Sequence, residues 1–208
     1  MTSSFHWEFS LRSNSRATTS RPEAPSAWSQ AGLRSVLFVA LLWVVEIVDA
    51  VMGNSLDQYG VQPRESEGLL GILFAPVLHG GWAHLSANTV PTLVLLFLVL
   101  VSGIRRGLLA TAIIWIVGGL GVWLLAPSGT VHLGASVLVF GWLVYLMVRG
   151  FFTGRGREIV LGVVLVVFYG GVLLGVLPGQ PGVSWQGHLF GALGGALAAY
   201  VERRRRST

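Results

Sequence analysis

The stretch Trp82-Ala-His84-Leu-Ser-Ala-Asn88-Thr-Val-Pro-Thr-Leu-Val-Leu-Leu-Phe-Leu-Val-Leu-Val101 holds no Asp, Glu, Lys or Arg, and none of its polar side chains lies beyond Thr92. A helix needs about 20 mainly apolar residues to cross the hydrocarbon core of a bilayer, and roughly 17 suffice. The stretch therefore reads as a membrane-spanning helix over 83–102 that carries a histidine and an asparagine near one interface. Working outward, similar apolar runs lie at 35–52, 108–126, 135–149, 159–177 and 185–201, and those at 135–149 and 185–201 are short and contain glycine. Backbone polar groups in lipid must be satisfied within the segment, which favours helices, and no alternating strand pattern occurs. The expected fold class is all-α: a polytopic membrane protein forming a six-transmembrane-helix bundle.

Composition points the same way. Of 208 residues, 53% are hydrophobic and 11% are charged, and the apolar ones fall in long runs rather than amphipathic stripes. There is no cysteine, which excludes disulfides, thiolate metal sites and cysteine nucleophiles. The formal charge of +5 would suit nucleic acid, but every basic residue is arginine and most sit in tails and short connections. A lipid bilayer, not a nucleic acid, is the partner this pattern addresses. Residues 1–33 are rich in Ser, Thr, Pro and Arg without the apolar segment of a signal peptide, so a disordered cytoplasmic tail is expected there. The membrane domain is expected over 34–202 with an outer loop at 53–82, followed by a basic cytoplasmic tail at 203–208.

Arginine sets the orientation, because short positively charged loops stay in the cytoplasm. With the N-terminus inside, Arg12, Arg16, Arg21, Arg34, Arg105, Arg106, Arg149, Arg155, Arg157 and Arg203 to Arg206 are all inside, and Arg64 alone is outside. The reading is N-in and C-in. Loop 53–82 is then extracytoplasmic, and its apolar part, Leu69 to Leu78, is too short to span, so it is expected to be interfacial or re-entrant. Arginine in place of every lysine suggests a GC-rich bacterial genome, and a bacterial cell (inner) membrane is the expected location.

In this orientation the second, fourth and sixth helices all start at the outer face. At about 1.5 Å per residue, His84, Asn88, Ser136 and His188 come to similar depths just below the interface. Taken singly, a serine at a helix start is ordinarily a cap, and a membrane histidine is satisfied by any buried hydrogen bond. Four such groups at one level of one leaflet favour a shared site. Serine becomes an effective nucleophile when a neutral imidazole takes its proton, and His188 suits that role toward Ser136. The second to sixth helices hold no acidic residue, so a dyad is the simplest arrangement. His84 and Asn88, four apart on one helix face, suit the stabilisation of an oxyanion beside backbone N–H groups at the start of the fourth helix. Gly191 and Gly195 follow His188 at +3 and +7, where small residues let the fourth helix approach, and ordinary packing accounts for them equally; Gly134 and Phe140 are expected at the same helix contact.

Other polar groups receive structural expectations. Glu46 and Asp49 in the first helix are expected to fix the outer loop, with a proton pathway as the alternative. His79 is expected to order that loop, and Trp82 and Trp185 to anchor helix starts at the interface; His132, just before the Gly134 motif, is expected to face solvent, with titration near the active site as the alternative.

These residues resemble the rhomboid family of intramembrane serine proteases over roughly 35–201. The family's G-x-S-x motif is similar to Gly134-Ala-Ser136-Val137, its histidine with glycines at +3 and +7 is similar to His188, Gly191 and Gly195, and its H-x4-H-x3-N pattern is similar to His79, His84 and Asn88. The resemblance implies a rhomboid-like bundle, Ser136 as nucleophile, His188 as base and then acid, and an oxyanion hole of His84, Asn88 and the Ser136 backbone N–H. It implies no cofactor or metal, and substrates that are single-pass transmembrane proteins with helix-destabilising residues near the cut. Three departures stand out: Val137 where many members have glycine, Phe140 where many have tyrosine stacked on the histidine, and an outer loop without an obvious Trp-Arg pair. The alternatives are a catalytically silent rhomboid-like protein that binds membrane clients and a small transporter, the latter disfavoured by the shallow polar cluster and the lack of a repeat.

Overall fold

The computed structural model describes residues 26–180 and 182–204. Seven α-helices follow in order: α1 (Ala27–Val51), α2 (Ser66–Phe74), α3 (Trp82–Val101), α4 (Ile104–Leu125), α5 (Ser136–Thr153), α6 (Gly156–Tyr169) and α7 (Trp185–Arg204). Short 3-10 turns occur at Asp57–Tyr59, Ala75–Val77 and Gly170–Val176. Among the described residues, five helical segments, Ala27–Val51, Trp82–Val101, Ile104–Leu125, Ser136–Thr153 and Gly156–Val176, are long and apolar enough to cross a membrane. α7 falls short of that apolarity because it carries Gln186, His188, several glycines and Glu202.

Helix ends depart from the sequence expectation for identifiable reasons. The tail expected through residue 33 is corrected at its C-terminal part, since α1 begins at Ala27, where the Ser26 hydroxyl accepts from the Ser29 N–H at 3.1 Å. Residues 1–25, and 205–208 of the basic tail, lie outside the described residues. α4 starts at Ile104 and so includes Arg105 and Arg106, whose long side chains can leave the apolar layer from a helical backbone. The apolar part of the outer loop forms α2 and the following turn, and α2 rests on α4.

α7 lies between α4 and α5, and glycine makes this possible. A methyl group at Gly191 would run into the Val137 carbonyl, and one at Gly195 into the Gly141 carbonyl. On the α4 side, Gly118 leaves the notch that takes the Val137 side chain, and Gly121 leaves the one that takes Phe190. A helix covered by protein rather than lipid needs little hydropathy of its own, which explains the composition of α7. The opposite case is α6, whose Val160, Val163, Val167 and Phe168 are exposed, as lipid-facing residues are.

The two ends of the bundle are tied differently. Next to the C-termini of α5 and α7, buried Arg149 pairs with Glu158 at 3.0 Å and Glu202 at 3.3 Å, and the Tyr145 hydroxyl donates to Glu202 at 2.7 Å. At the other end, Arg64 donates to the Ala126 carbonyl at 2.8 Å, satisfying the α4 C-terminus with a cation where the helix dipole is negative. Trp115 Nε1 donates to the Ile72 carbonyl at 2.6 Å and Trp123 Nε1 to the Glu65 carbonyl at 2.8 Å, strapping α2 to α4. Both carboxylates reach the outer loop as expected: Asp49 accepts from the Leu56 N–H at 2.7 Å, and buried Glu46 bonds the Gly81 backbone, its Oε2 being left without a partner.

Candidate active site

The helix α5 begins at Ser136, and its first turn leaves the Ser136 and Val137 N–H groups without a helical acceptor, as every helix start must. The loop before it is held at three points. His132 and Val61 exchange backbone hydrogen bonds of 3.0 and 2.8 Å, Gly134 N–H donates to the Ala75 carbonyl at 2.8 Å, and Ala135 N–H donates to His79 Nε2 at 3.3 Å. Gly134 has φ +116°, a conformation L side chains rarely adopt, and a methyl group there would meet the His84 ring at 2.6 Å and sit 3.7 Å from Ser136 Oγ. Gly134 thus belongs to the loop rather than to helix packing, and its missing side chain is what brings the His84 ring close to the serine. Asn88, buried one turn along α3, donates one amide hydrogen to the His84 carbonyl at 3.0 Å and keeps a second.

His188 stands on α7 one turn before Gly191, and its ring stacks on Phe140 with centroids 3.9 Å apart and planes at 7°. Phe140 is one turn beyond Ser136 on α5, so the stack sets the histidine alongside the serine's helix. The stacking expected of an aromatic at this position is therefore made by phenylalanine. His188 Nδ1 lies 2.9 Å from the Gly175 carbonyl, an acceptor only, so Nδ1 carries the hydrogen and Nε2 is left with a free lone pair. Among the described residues no hydrogen bond joins Ser136 to His188; such bonds commonly tighten only when substrate is bound. Val137 does not crowd the serine's N–H, since its side chain goes into the Gly118 notch.

Sequence reasoning gave no role to Gly175 or Ser184, and it named His79 as ordering the loop without finding the amide it binds. His79 is 1% exposed and serves as acceptor for the amide next to Ser136. Burial and the neighbouring His84 push its pKa down to about 4, which keeps the ring neutral and Nε2 free to accept. Its position five residues before His84 was the readable signal. Gly175 lies in the turn after α6, and nothing local marks its carbonyl as a histidine's partner. Ser184, whose hydroxyl accepts from the Gly187 N–H at 3.2 Å, was readable as a helix cap before the 185–201 run. His132 is not solvent-facing as expected; its ring bonds Thr130 and Ser184.

A family model described as Rhomboid domain matches residues 66–205. The chain is 49% identical to an uncharacterized protein of Mycobacterium tuberculosis over 94% of this chain and 85% of that one. It is 49% identical to an uncharacterized protein of Mycobacterium bovis with the same coverage, and 46% identical to one of Mycobacterium leprae over 86% of this chain and 76% of the relative. No solved structure matches.

Proposed function

This chain is an integral membrane protein of the rhomboid family, and from that premise we propose that it is an intramembrane serine endopeptidase acting through Ser136 and His188. The single observation that carries the reading is the state of His188: its Nδ1–H is committed to the Gly175 carbonyl and its ring is clamped on Phe140, one turn from Ser136. That leaves Nε2 as the base. In the proposed reaction the Ser136 Oγ–H gives its proton to His188 Nε2 as Oγ attacks the scissile carbonyl carbon. The resulting oxyanion accepts from the Ser136 N–H, with His84 and the second amide hydrogen of Asn88 as further donors. His188 then protonates the departing amine, leaving an acyl ester on Ser136. Water, losing a proton to His188, hydrolyses the ester, and the serine is regenerated.

Substrates in this reading are single-pass transmembrane proteins, since the serine sits at one end of an apolar bundle and needs an extended, locally unwound peptide. The arginine distribution supports N-in and C-in topology with the site toward the extracytoplasmic side, and the mycobacterial relatives support a bacterial cell membrane. A client-binding protein without activity would share the fold and the unjoined serine and histidine. Reconstitution in liposomes with a single-pass substrate separates the two: the wild type is expected to cleave while Ser136→Ala and His188→Ala do not. Failure of folded wild type across several substrates would favour client binding.

A further inference from the structure

His132 lies four residues before Ser136, outside the residues assigned to the reaction, yet its side chain is fully engaged. Ring Nε2 is 2.8 Å from Thr130 Oγ1, and Nδ1 is 2.6 Å from Ser184 Oγ. The directions of these bonds can be worked out from the groups at either end. Thr130 Oγ1 donates its hydrogen to the Pro127 carbonyl at 2.6 Å, so it must accept from His132 Nε2–H. His132 Nδ1 then carries no hydrogen and accepts from the Ser184 hydroxyl, which itself accepts from the Gly187 N–H at 3.2 Å. The chain runs from the Gly187 amide through Ser184 to His132, and from His132 through Thr130 to Pro127, with every hydrogen placed once. It requires a neutral ring, and burial holds the His132 pKa below the ordinary histidine range.

The position of this chain gives it a consequence. Ser184 caps α7: its hydroxyl takes the Gly187 amide and its carbonyl takes the His188 amide at 3.1 Å. His132 is pinned by its backbone to Val61 and leads directly into Gly134 and Ser136. Among the described residues the His132–Ser184 bond is the one hydrogen bond between the loop that carries Ser136 and the start of the helix that carries His188. We propose that His132 is a positioning residue: by ordering the Ser184 hydroxyl that caps α7, it fixes the serine's loop and the histidine's helix relative to one another.

The proposal rests on the proteolytic reading, and the test separates the two. Full-length wild type, His132→Phe, Ser184→Ala, the double variant, His132→Asn and Ser184→Thr are reconstituted and assayed for kcat and KM on one single-pass substrate, with thermal midpoints recorded. His132→Phe keeps bulk but offers no acceptor, and kcat is expected to fall about tenfold, the worth of one positioning hydrogen bond, with KM little changed. Ser184→Ala should lose as much, and the double variant no more than either, because the two act through one bond. His132→Asn, whose Oδ1 falls near the place of Nδ1, and Ser184→Thr, which keeps the hydroxyl, should restore most of the rate. Additive losses, equal failure of the conservative variants, or a His132→Phe enzyme as fast as wild type would overturn the proposal while leaving proteolysis intact. A folded wild type that cleaves nothing would overturn both.

Discussion

His79 places an imidazole nitrogen where the amide of Ala135 needs an acceptor, and the whole value of that contact depends on the ring being neutral. Protonation would turn Nε2 into a donor facing a donor. The folded ring has its pKa at about 4 rather than 6.5, so below pH 6.5 the unfolded chain binds a proton that the folded protein refuses. The sign follows: stability attributable to His79 declines as pH falls from 6.5 toward 4 and changes no further below that, a loss of about 3 kcal/mol at most. His79→Gln keeps an acceptor and does not titrate. Thermal midpoints in detergent from neutral to acidic pH should therefore fall more steeply for wild type than for the variant, and parallel curves would show that His79 is not the titrating group. At this scale the sequence was partly legible. Ser136, His188, His84 and Asn88 stood out because polar groups in apolar runs are costly. Gly175 and Ser184 did not, and His79 and His132 were noticed without their partners, because the worth of all four lies in bonds to residues 13 to 56 positions away.

The helices themselves were legible to within a turn or two, since lipid demands long apolar runs and punctuation by glycine and arginine marks their ends. α6 shows the limit: the run expected over 159–177 is α-helical only to Tyr169 and then tightens into a 3-10 turn at Gly170–Val176, where Gly170 and Gly171 weaken the helix. That tightening presents the Gly175 carbonyl to His188. The start of α1 was missed because the polar residues around Ser26 and Gln30 read as tail. α5 and α7 depend most on absence of side chains. Since a methyl at Gly195 meets backbone of Gly141, which cannot turn aside, Gly195→Ala should force α7 away from α5. Overpacking of this kind costs about 1–3 kcal/mol. Cleavage by the variant is expected to fall at least about tenfold while helical circular dichroism is retained; unchanged cleavage with an unchanged thermal midpoint would show that the interface has slack.

For the molecule as a whole, the outer loop, the start of α5 and the start of α7 meet at one end, and the Arg149, Glu158 and Glu202 cluster lies at the other. The sequence supplied this polarity through its arginines but not the bridge between Val61 and His132, which joins segments far apart in the chain. Which end faces out is directly measurable because the chain has no cysteine. A single cysteine at Ser128 should react with an impermeant maleimide on intact cells, and one at Gly154 only after permeabilisation; the reverse pattern would invert the topology.

The central claim is that His188 activates Ser136, and a fluorophosphonate reports it without any knowledge of the substrate. Intact-mass and peptide-mapping measurements on the detergent-solubilised protein should find one adduct, on Ser136, in wild type and none in His188→Ala of equal thermal stability. Labelling that is absent from stable wild type, or that persists undiminished in His188→Ala, would contradict the account.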